Sequence, residues 1–219
     1  MLKLENTGVF GWEATIRGMR NPMNSWNKSD SGWGFVPSQT CPTCDRYECG
    51  YIIGENDLKL MKSLSKAGND HAKFLRMINV TVDITAPLYW WKEFDTYKVG
   101  TVANSCSTMH KIHEKEFTLE DFSHEHLNKE TKLKLIEVIN YLNISRDCFR
   151  SDSSRKDYWW QMIQLLPSSY NQKRTVMLNY EVLANIYKSR KNHKLDEWVE
   201  FCKWIESLPY SELITGIDA

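Results

Sequence analysis

The chain has no apolar stretch of the length that a transmembrane helix requires, and its first ten residues lack the pattern of a signal peptide. It has no excess of charge of either sign, because 28 Lys and Arg residues balance 28 Asp and Glu residues. Internal repeats and low-complexity tracts are also absent. These absences predict a cytoplasmic protein whose partner is neither a membrane nor a nucleic-acid polymer.

Aromatic side chains, in contrast, are abundant, with nine Trp and ten Tyr among 219 residues. Two tryptophan pairs stand out, Trp90-Trp91 and Trp159-Trp160. Adjacent residues on a helix point about 100° apart, so both members of a pair cannot face one core. Either one member meets another subunit, a ligand or a second layer, or the helix is buried on two sides.

The apolar pattern predicts a strand-bearing first half and a helical second half. Helical spacing, with capping residues, predicts helices at 56–67, 87–97, 129–141, 154–166, 175–191 and 195–208. Strands are predicted at 9–16 and 77–84, and loops at 21–39 and 99–107. This order predicts a single α+β domain over residues 1–219, with an irregular region at 21–50.

A basic segment near the start of the chain is the first candidate for a binding site. Arg17 and Arg20 flank a glycine, and an Asn-Pro turn and Ser25 follow them. Guanidinium groups and free backbone N–H groups suit phosphate oxygens, so the segment fits a phosphate clasp. A surface turn with solvated arginines fits it equally well.

His71 is the second candidate, directly after the first predicted helix. A histidine titrates near neutral pH and can contact a nucleotide or act as a general acid or base. The neighbouring Asp70 offers the alternative of a histidine held by a structural hydrogen bond.

The third candidate is the polar run that starts at Lys92 and continues through residues 101–110. Hydroxyl, amide and thiol groups are dense there, and burying them without partners is costly. The run is therefore the best candidate for a ligand-lining loop. Cys106 fits a nucleophile only weakly, because no base is fixed beside it, and a buried, inert cysteine is the commoner case.

Three clustered cysteines form the fourth candidate. Cys41 and Cys44 have the C-x2-C spacing of half a zinc site, and Cys49 follows five residues later. A fourth ligand is missing from the cluster. Structural zinc and free thiols in a loop both fit this pattern.

The order of these segments resembles the flavin-dependent thymidylate synthases over roughly residue 69 onward. An Asp-His precedes a strand, a helix and a polar Asn/Ser loop follow, and then come Leu-Pro and a helix of the form N-x10-R. The positions that match the family pattern are His71, Asn104, Ser107, Leu166-Pro167, Asn179, Leu183, Arg190 and His193.

Several charged positions depart from the family pattern. Lys92-Glu93-Phe94 stands where the family has Arg-His-Arg, and about five extra residues precede Asn104. Glu181 stands at the arginine of Asn-x-Arg, and Glu200 lies near the last substrate-binding arginine. Because those arginines hold phosphates in the family, the chain either has a rearranged pocket or keeps the fold and binds a different ligand.

The resemblance implies an antiparallel sheet packed with several helices, FAD as cofactor, a pyrimidine deoxynucleotide as substrate and a homotetramer. It implies a methyl-transferring enzyme, with a non-catalytic binding module that kept the scaffold as the alternative. Together with the segments above, it gives three sets of expected site residues. These are catalytic His71, Lys92 and Ser107; cofactor-binding Glu93, Asn104, Asn179 and Arg190; and substrate-binding Arg17, Arg20, Ser105 and Cys106.

Overall fold

The computed structural model of the protein describes residues 1–37, 47–68 and 70–216. Its strands are β1 (Lys3–Phe10), β2 (Gly32–Pro37), β3 (Tyr47–Ile52), β4 (Asn79–Pro87), β5 (Val102–Ser105) and β6 (Asn171–Asn179). Its α-helices are α1 (Trp12–Arg20), α2 (Glu55–Lys66), α3 (Leu88–Phe94), α4 (Lys129–Ser151), α5 (Lys156–Leu165), α6 (Tyr180–Arg190), α7 (Asp196–Glu206) and α8 (Glu212–Thr215). Short 3-10 helices cover Asn21–Met23, Trp26–Lys28, Ala72–Met77 and Leu119–Asp121.

The main sheet has four strands in the order β1-β4-β6-β5, and each neighbouring pair is antiparallel. Strand β4 lies at its centre, with Val80, Val82 and Ile84 fully buried and the residues between them half-buried. This alternation confirms the strand predicted at 77–84. The helices pack with the sheet as expected of an α+β fold, so the predicted fold class is confirmed. A separate hairpin pairs β2 with β3.

The chain turns from β1 into α1 at Gly11, so the strand predicted at 9–16 is wrong beyond Phe10. Gly11 has a φ of 97°, and a Cβ at this position would lie 2.2 Å from the carbonyl oxygen of Met77. Only glycine satisfies both conditions. Strand β1 therefore ends at Phe10, and Thr15 and Ile16 are buried on a helix instead.

The helix predicted at 175–191 is correct only from Tyr180 onward. Residues before it form β6, which pairs with β4 along nine residues, from Asn171 to Asn179. Val176 and Leu178 are buried, whereas Thr175 and Met177 face outward. Tertiary pairing therefore overrides the helical spacing that continues from α6.

The remaining predicted elements differ mainly in their bounds. Helices α2, α5 and α7 confirm the predictions at 56–67, 154–166 and 195–208, and α4 extends the prediction at 129–141 by ten residues to Ser151. The helix predicted at 87–97 is the shorter α3, since Pro87 ends β4 and caps α3. The loops predicted at 21–39 and 99–107 contain β2 and the edge strand β5, respectively.

Both members of the first tryptophan pair are buried in the main core. Trp90 packs against Phe94 and Trp198, with ring centroids 5.0 and 4.8 Å away. Trp91 points toward the sheet and donates a hydrogen bond from Nε1 to the carbonyl oxygen of Gln172 at 3.0 Å. Helix α3 is therefore covered on two sides, the second of the two alternatives. In the other pair, Trp160 is about half exposed.

A smaller apolar cluster lies between α4, α5 and the segment that precedes α4. Its buried members are Ile112, Phe117, Phe122, Leu135, Ile139, Leu142 and Met162. No helix in the described part of the chain has the length and apolarity needed to cross a bilayer.

Candidate functional site

The C-terminal end of α3 carries a carboxylate that several donors share. Oε2 of Glu93 accepts hydrogen bonds from Nη1 of Arg190 at 2.5 Å and from Nε1 of Trp198 at 3.0 Å. Nε2 of His193 lies 3.6 Å from the same oxygen, and Nε of Arg190 donates to the Tyr97 hydroxyl at 3.0 Å. The contact ties α3 to α6 and α7, and it neutralises the charge of Arg190.

A second carboxylate, two residues further on, binds a second arginine. Oδ1 of Asp95 accepts a hydrogen bond from Nη1 of Arg174 at 2.8 Å. The Arg174 guanidinium lies over the Trp91 ring, 4.1 Å from its centroid, and Nε donates to Oε1 of Gln172 at 3.0 Å. Cation–π contact and charge-assisted hydrogen bonds hold this half-buried cation beside β5.

The polar run forms the exposed edge of the sheet. Ser105 pairs with Arg174 in the β5–β6 register, and Asn104 pairs with Thr175. Because successive side chains of a strand alternate between faces, Ser105 lies on the face of Arg174 and Asn104 lies on the opposite face. Of these two side chains, only Ser105 therefore lies on the same face of the sheet as Arg174, which contacts the end of α3.

The edge continues through residues 106 and 107. The N–H of Cys106 donates to the carbonyl oxygen of Lys173 at 2.9 Å, and its carbonyl oxygen accepts from Nε2 of Gln172 at 2.7 Å. The Ser107 hydroxyl oxygen accepts from the N–H groups of Met109 and His110, so this serine closes a turn. The Cys106 thiol is exposed.

Asn179 lies at the N-terminus of α6 as its cap. Its Oδ1 accepts from the N–H of Val182 at 3.0 Å, which satisfies one of the free donors of the first turn. Gly100, with a φ of 81°, passes directly over this cap, and a Cβ there would lie 3.0 Å from Nδ2 of Asn179. The loop after α3 is therefore fixed against α6.

His71 and Lys92 are both exposed, on different elements. His71 precedes the 3-10 helix Ala72–Met77, and its backbone N–H donates to the carbonyl oxygen of Gly68. Lys92 lies on α3, next to Glu93. Of the three residues expected to be catalytic, only Lys92 lies on α3 with the two carboxylates.

The two arginines of the basic segment have different environments. Arg17 is exposed and pairs with Glu13 at 2.8 Å. Arg20 is buried, and its Nε donates to Oδ1 of Asp57 at 2.6 Å, while its other nitrogens donate to the carbonyl oxygens of Ser25 and Lys28. Its guanidinium therefore links the basic segment to α2 and is shielded from solvent. In the phosphate clasp predicted from the sequence, it would instead be accessible to a ligand.

Asp57 is the anchor of this buried pair. Burial alone raises the pKa of its carboxyl group, but hydrogen bonds from the hydroxyls of Ser31 and Ser29 and from Arg20 outweigh burial and hold the pKa below its usual value. Asp57 is fully buried, and Arg20 is 4% exposed. The ion pair is thus part of the folded framework.

The cysteine cluster lies only partly within the described residues. Cys41 and Cys44 fall outside them, whereas Cys49 is an exposed residue of β3. Residues 1–37, 47–68 and 70–216 contain no group of three or more His, Cys, Asp or Glu side chains that fits a metal ion.

Arg174 and Gln172 take part in the site but are not among the residues predicted from the sequence, whereas Asp95 belongs to the polar run that starts at Lys92. Arg174 immediately precedes the helix predicted at 175–191, so the sequence does not predict its position on β6, opposite Ser105 of β5. One signal was available: Trp91 and Asp95 are four residues apart and share a face of α3, which suits an arginine between them.

These contacts define an α+β protein with a polar site where the end of α3 meets β5, β6 and the N-terminus of α6. No protein-family model and no curated protein sequence matches the chain. Two of the solved structures that match it cover almost its whole length. Both are the flavin-dependent thymidylate synthase ThyX of Helicobacter pylori with FAD and dUMP.

The first is 16% identical with a TM-score of 0.65, and the match covers 98% of each chain. The second, at 2.31 Å resolution, is 15% identical with a TM-score of 0.66 and covers 99% of this chain and 98% of the other. The chain therefore has the fold of the flavin-dependent thymidylate synthases, as its sequence pattern suggested.

Proposed function

We propose that the protein is a nucleotide-binding enzyme that resembles flavin-dependent thymidylate synthase and transfers a one-carbon unit to, or otherwise modifies, a pyrimidine deoxynucleotide. The observation that carries the proposal is the end-to-end similarity to two ThyX structures solved with FAD and dUMP. The polar site at the end of α3 gives the proposal its residues.

The donors at this site fit a phosphate-bearing ligand. Lys92 and Lys98 place two exposed ammonium groups at the end of α3, and Ser105 adds an exposed hydroxyl. Ammonium and hydroxyl groups are suitable partners for phosphate oxygens. In this proposal they replace the arginines that the family pattern would provide. A bound FAD would supply the hydride chemistry, and the protein would orient the two ligands.

The expected roles of the other residues follow from their positions. Glu93 and Arg190 would face the ligand as one ion pair, and Asn104, Cys106, Ser107 and Asn179 would line the edge of the sheet and the loop above α6. His71 would contribute a proton-transfer group. Arg17 would remain as an exposed cation of the basic segment. Each of these roles is part of the proposal.

A second candidate, a binding module without catalysis, is favoured by the arginine contacts. Glu93 pairs with Arg190, and Asp95 pairs with Arg174. Guanidinium groups that are already neutralised attract a phosphate less strongly than free ones. A protein that binds nucleotides and shows no turnover would support this candidate over the enzyme.

A homo-oligomer, with a tetramer as in the family, is part of the same proposal. Helix α4 exposes large apolar side chains on its outer side, and such patches are typical of interfaces. The exposed residues are Leu133, Ile136, Tyr141 and Ile144. Light scattering after size exclusion tests this point, and a monomer would count against a site shared between subunits.

The ligand proposal is tested by calorimetric titration of the full chain with dUMP, with and without FAD. We expect Lys92→Gln to weaken dUMP binding by about tenfold, because one charge-assisted contact is lost. Lys129→Gln, which removes an equal charge at the start of α4, is the matched control. Equal affinities of the two variants would count against the site at α3.

A further inference from the structure

A cavity lined by four aromatic side chains lies between β1, α1, β3 and the turn that follows α7. Its volume is about 670 Å³, which is within the usual range for small-molecule sites. The four rings come from separate parts of the chain: Trp12 of α1, Tyr51 of β3, Trp204 of α7 and Tyr210 of the following turn. None of the described lining residues belongs to the site at the end of α3.

The four rings are only half-buried, unlike the aromatic residues of the main core. Trp90 and Trp198, for comparison, are fully buried and pack against each other. A half-buried ring that lines a cavity keeps apolar surface in contact with water, and covering such surface is favourable. The cavity therefore suits a ligand with apolar or aromatic surface.

Tyr210 is held in the lining by an unfavourable backbone conformation. Its φ is 54°, in the left-handed region that a residue with a Cβ adopts only at a cost. Its ring lies edge-on to Trp12, with centroids 5.3 Å apart, and the preceding carbonyl, that of Pro209, accepts a hydrogen bond from the Tyr180 hydroxyl. Backbone strain of this kind is concentrated at functional sites, and here it keeps an aromatic ring at the cavity.

The lining offers hydrogen-bonding groups but no charged side chain. No Asp, Glu, Lys, Arg or His lines this cavity among the residues that the structure describes. An ionic ligand would lose hydration there without gaining a counter-charge, and that loss is costly. A neutral ligand does not have this cost.

Two hydroxyls beside Trp204 indicate which polar groups the ligand carries. The Thr7 hydroxyl oxygen accepts from Nε1 of Trp204 at 3.0 Å, and a hydroxyl that accepts can still donate its own hydrogen. The Ser207 hydroxyl donates to the carbonyl oxygen of Trp204 at 2.7 Å and can still accept. Both residues line the cavity. An amide group carries an acceptor and a donor side by side, so it matches this pair of hydroxyls.

From these features we propose that the cavity binds a small neutral compound with a planar aromatic ring and an amide group. The ring lies among the four aromatic side chains, and the amide lies at Thr7 and Ser207. Aromatic rings attract one another beyond the effect of buried area alone, so a planar ring is favoured over a saturated one. The inference goes beyond the proposed function and does not depend on it.

The experiment is a titration of the full chain with benzamide, in which binding is measured from the broadening of the NMR signals of the probe itself. Two comparison probes each change one property. Cyclohexanecarboxamide has the same amide on a saturated ring, and benzoate has the same ring with a negative charge. We expect benzamide to bind several-fold more tightly than either, because one lacks the ring contacts and the other brings an uncompensated charge.

Three variants test whether benzamide binds in this cavity. Ser207→Phe fills the cavity from an exposed position and should weaken binding by about tenfold or more, since its ring occupies the space of the ligand. Trp204→Leu removes one lining ring and should weaken binding several-fold. Trp26→Leu removes an exposed tryptophan outside the cavity, so it is the matched control and should bind like the wild type.

Equal affinities for benzamide and cyclohexanecarboxamide, or for benzamide and benzoate, would overturn the proposal. So would undetectable binding of benzamide, or binding that Ser207→Phe leaves unchanged. Equal losses in Trp204→Leu and Trp26→Leu would do the same, and if Trp204→Leu fails to fold, Ser207→Phe still decides the question. A chain that binds neither FAD nor dUMP would contradict the proposed function and leave these outcomes unchanged.

Discussion

Nη1 of Arg190 lies 2.5 Å from Oε2 of Glu93, so the arginine that matches the family pattern is already bound to a carboxylate of its own chain. Glu93 stands where the family pattern has histidine. This one departure has two effects: the Glu93 carboxylate would itself repel a phosphate, and it also binds the Arg190 cation that would attract one.

The first prediction concerns the strength of this pair. In a double-mutant cycle with Glu93→Gln and Arg190→Gln, we expect a coupling of about 1–2 kcal/mol in the free energy of unfolding, because both side chains are partly shielded and charge-assisted. Urea denaturation measures it. The exposed pair Arg17 and Glu13 is the comparison and should give about 0.5 kcal/mol or less. Equal couplings for the two pairs would contradict the structure.

The second prediction concerns the buried pair Arg20 and Asp57. Replacing Arg20 with Ala leaves a fully buried carboxylate without its cation, and we expect a loss of about 3–5 kcal/mol of folding stability. Arg17→Ala, three residues earlier on α1, should cost about 1 kcal/mol or less. Chemical denaturation of both variants tests the difference. A phosphate-binding Arg20 would instead be exposed, and its loss would leave stability almost unchanged.

The third prediction is a pH dependence at Asp83. Hydrogen bonds from Thr175, Asn6 and Lys173 lower the pKa of Asp83 to about 2. Since the folded-state pKa lies below the usual 3.8, the ionised carboxylate stabilises the fold above about pH 4, and this contribution is lost as the pH falls toward 2. The stability difference between the wild type and Asp83→Asn should therefore shrink between about pH 5 and pH 2. A difference independent of pH would contradict the network.

The fourth prediction concerns thiol reactivity. Burial and the nearby Glu206 raise the pKa of the Cys202 thiol to about 11, whereas Cys49 and Cys106 are exposed. Alkylation with iodoacetamide at mildly basic pH, followed by peptide mass spectrometry, should modify Cys49 and Cys106 in the native protein and Cys202 only after unfolding. Rapid native labelling of Cys202 would show that α7 is not packed as described.

The elements that are predicted well from the sequence are those whose buried residues recur at regular spacing within the element itself. Strand β4 and helices α2, α5 and α7 each bury one face, and their periodicity is visible in the residues themselves. Strand β6 was missed because its two buried apolar residues, Val176 and Leu178, continue the apolar stripe of α6 without a break. Only its pairing with β4, about ninety residues earlier, makes it a strand.

Several residues of the candidate site could be identified from the sequence, but the contacts between them could not. The polar run at 101–110 and the positions of Glu93 and Arg190 were identified from the chain alone. Arg174 was not, because its partner Asp95 is 79 residues away and the choice between strand and helix decides which way it points. Arg20 was misjudged for the same reason, since Asp57 is 37 residues away and fully buried.

The proposed function requires that this chain bind a flavin together with a nucleotide, and the visible absorbance spectrum of the purified protein is the most direct test of that binding. After incubation with FAD and removal of free ligand, we predict a retained flavin band that changes on addition of dUMP. A spectrum without flavin absorbance, with no change in melting temperature on addition of FAD or dUMP, would contradict it.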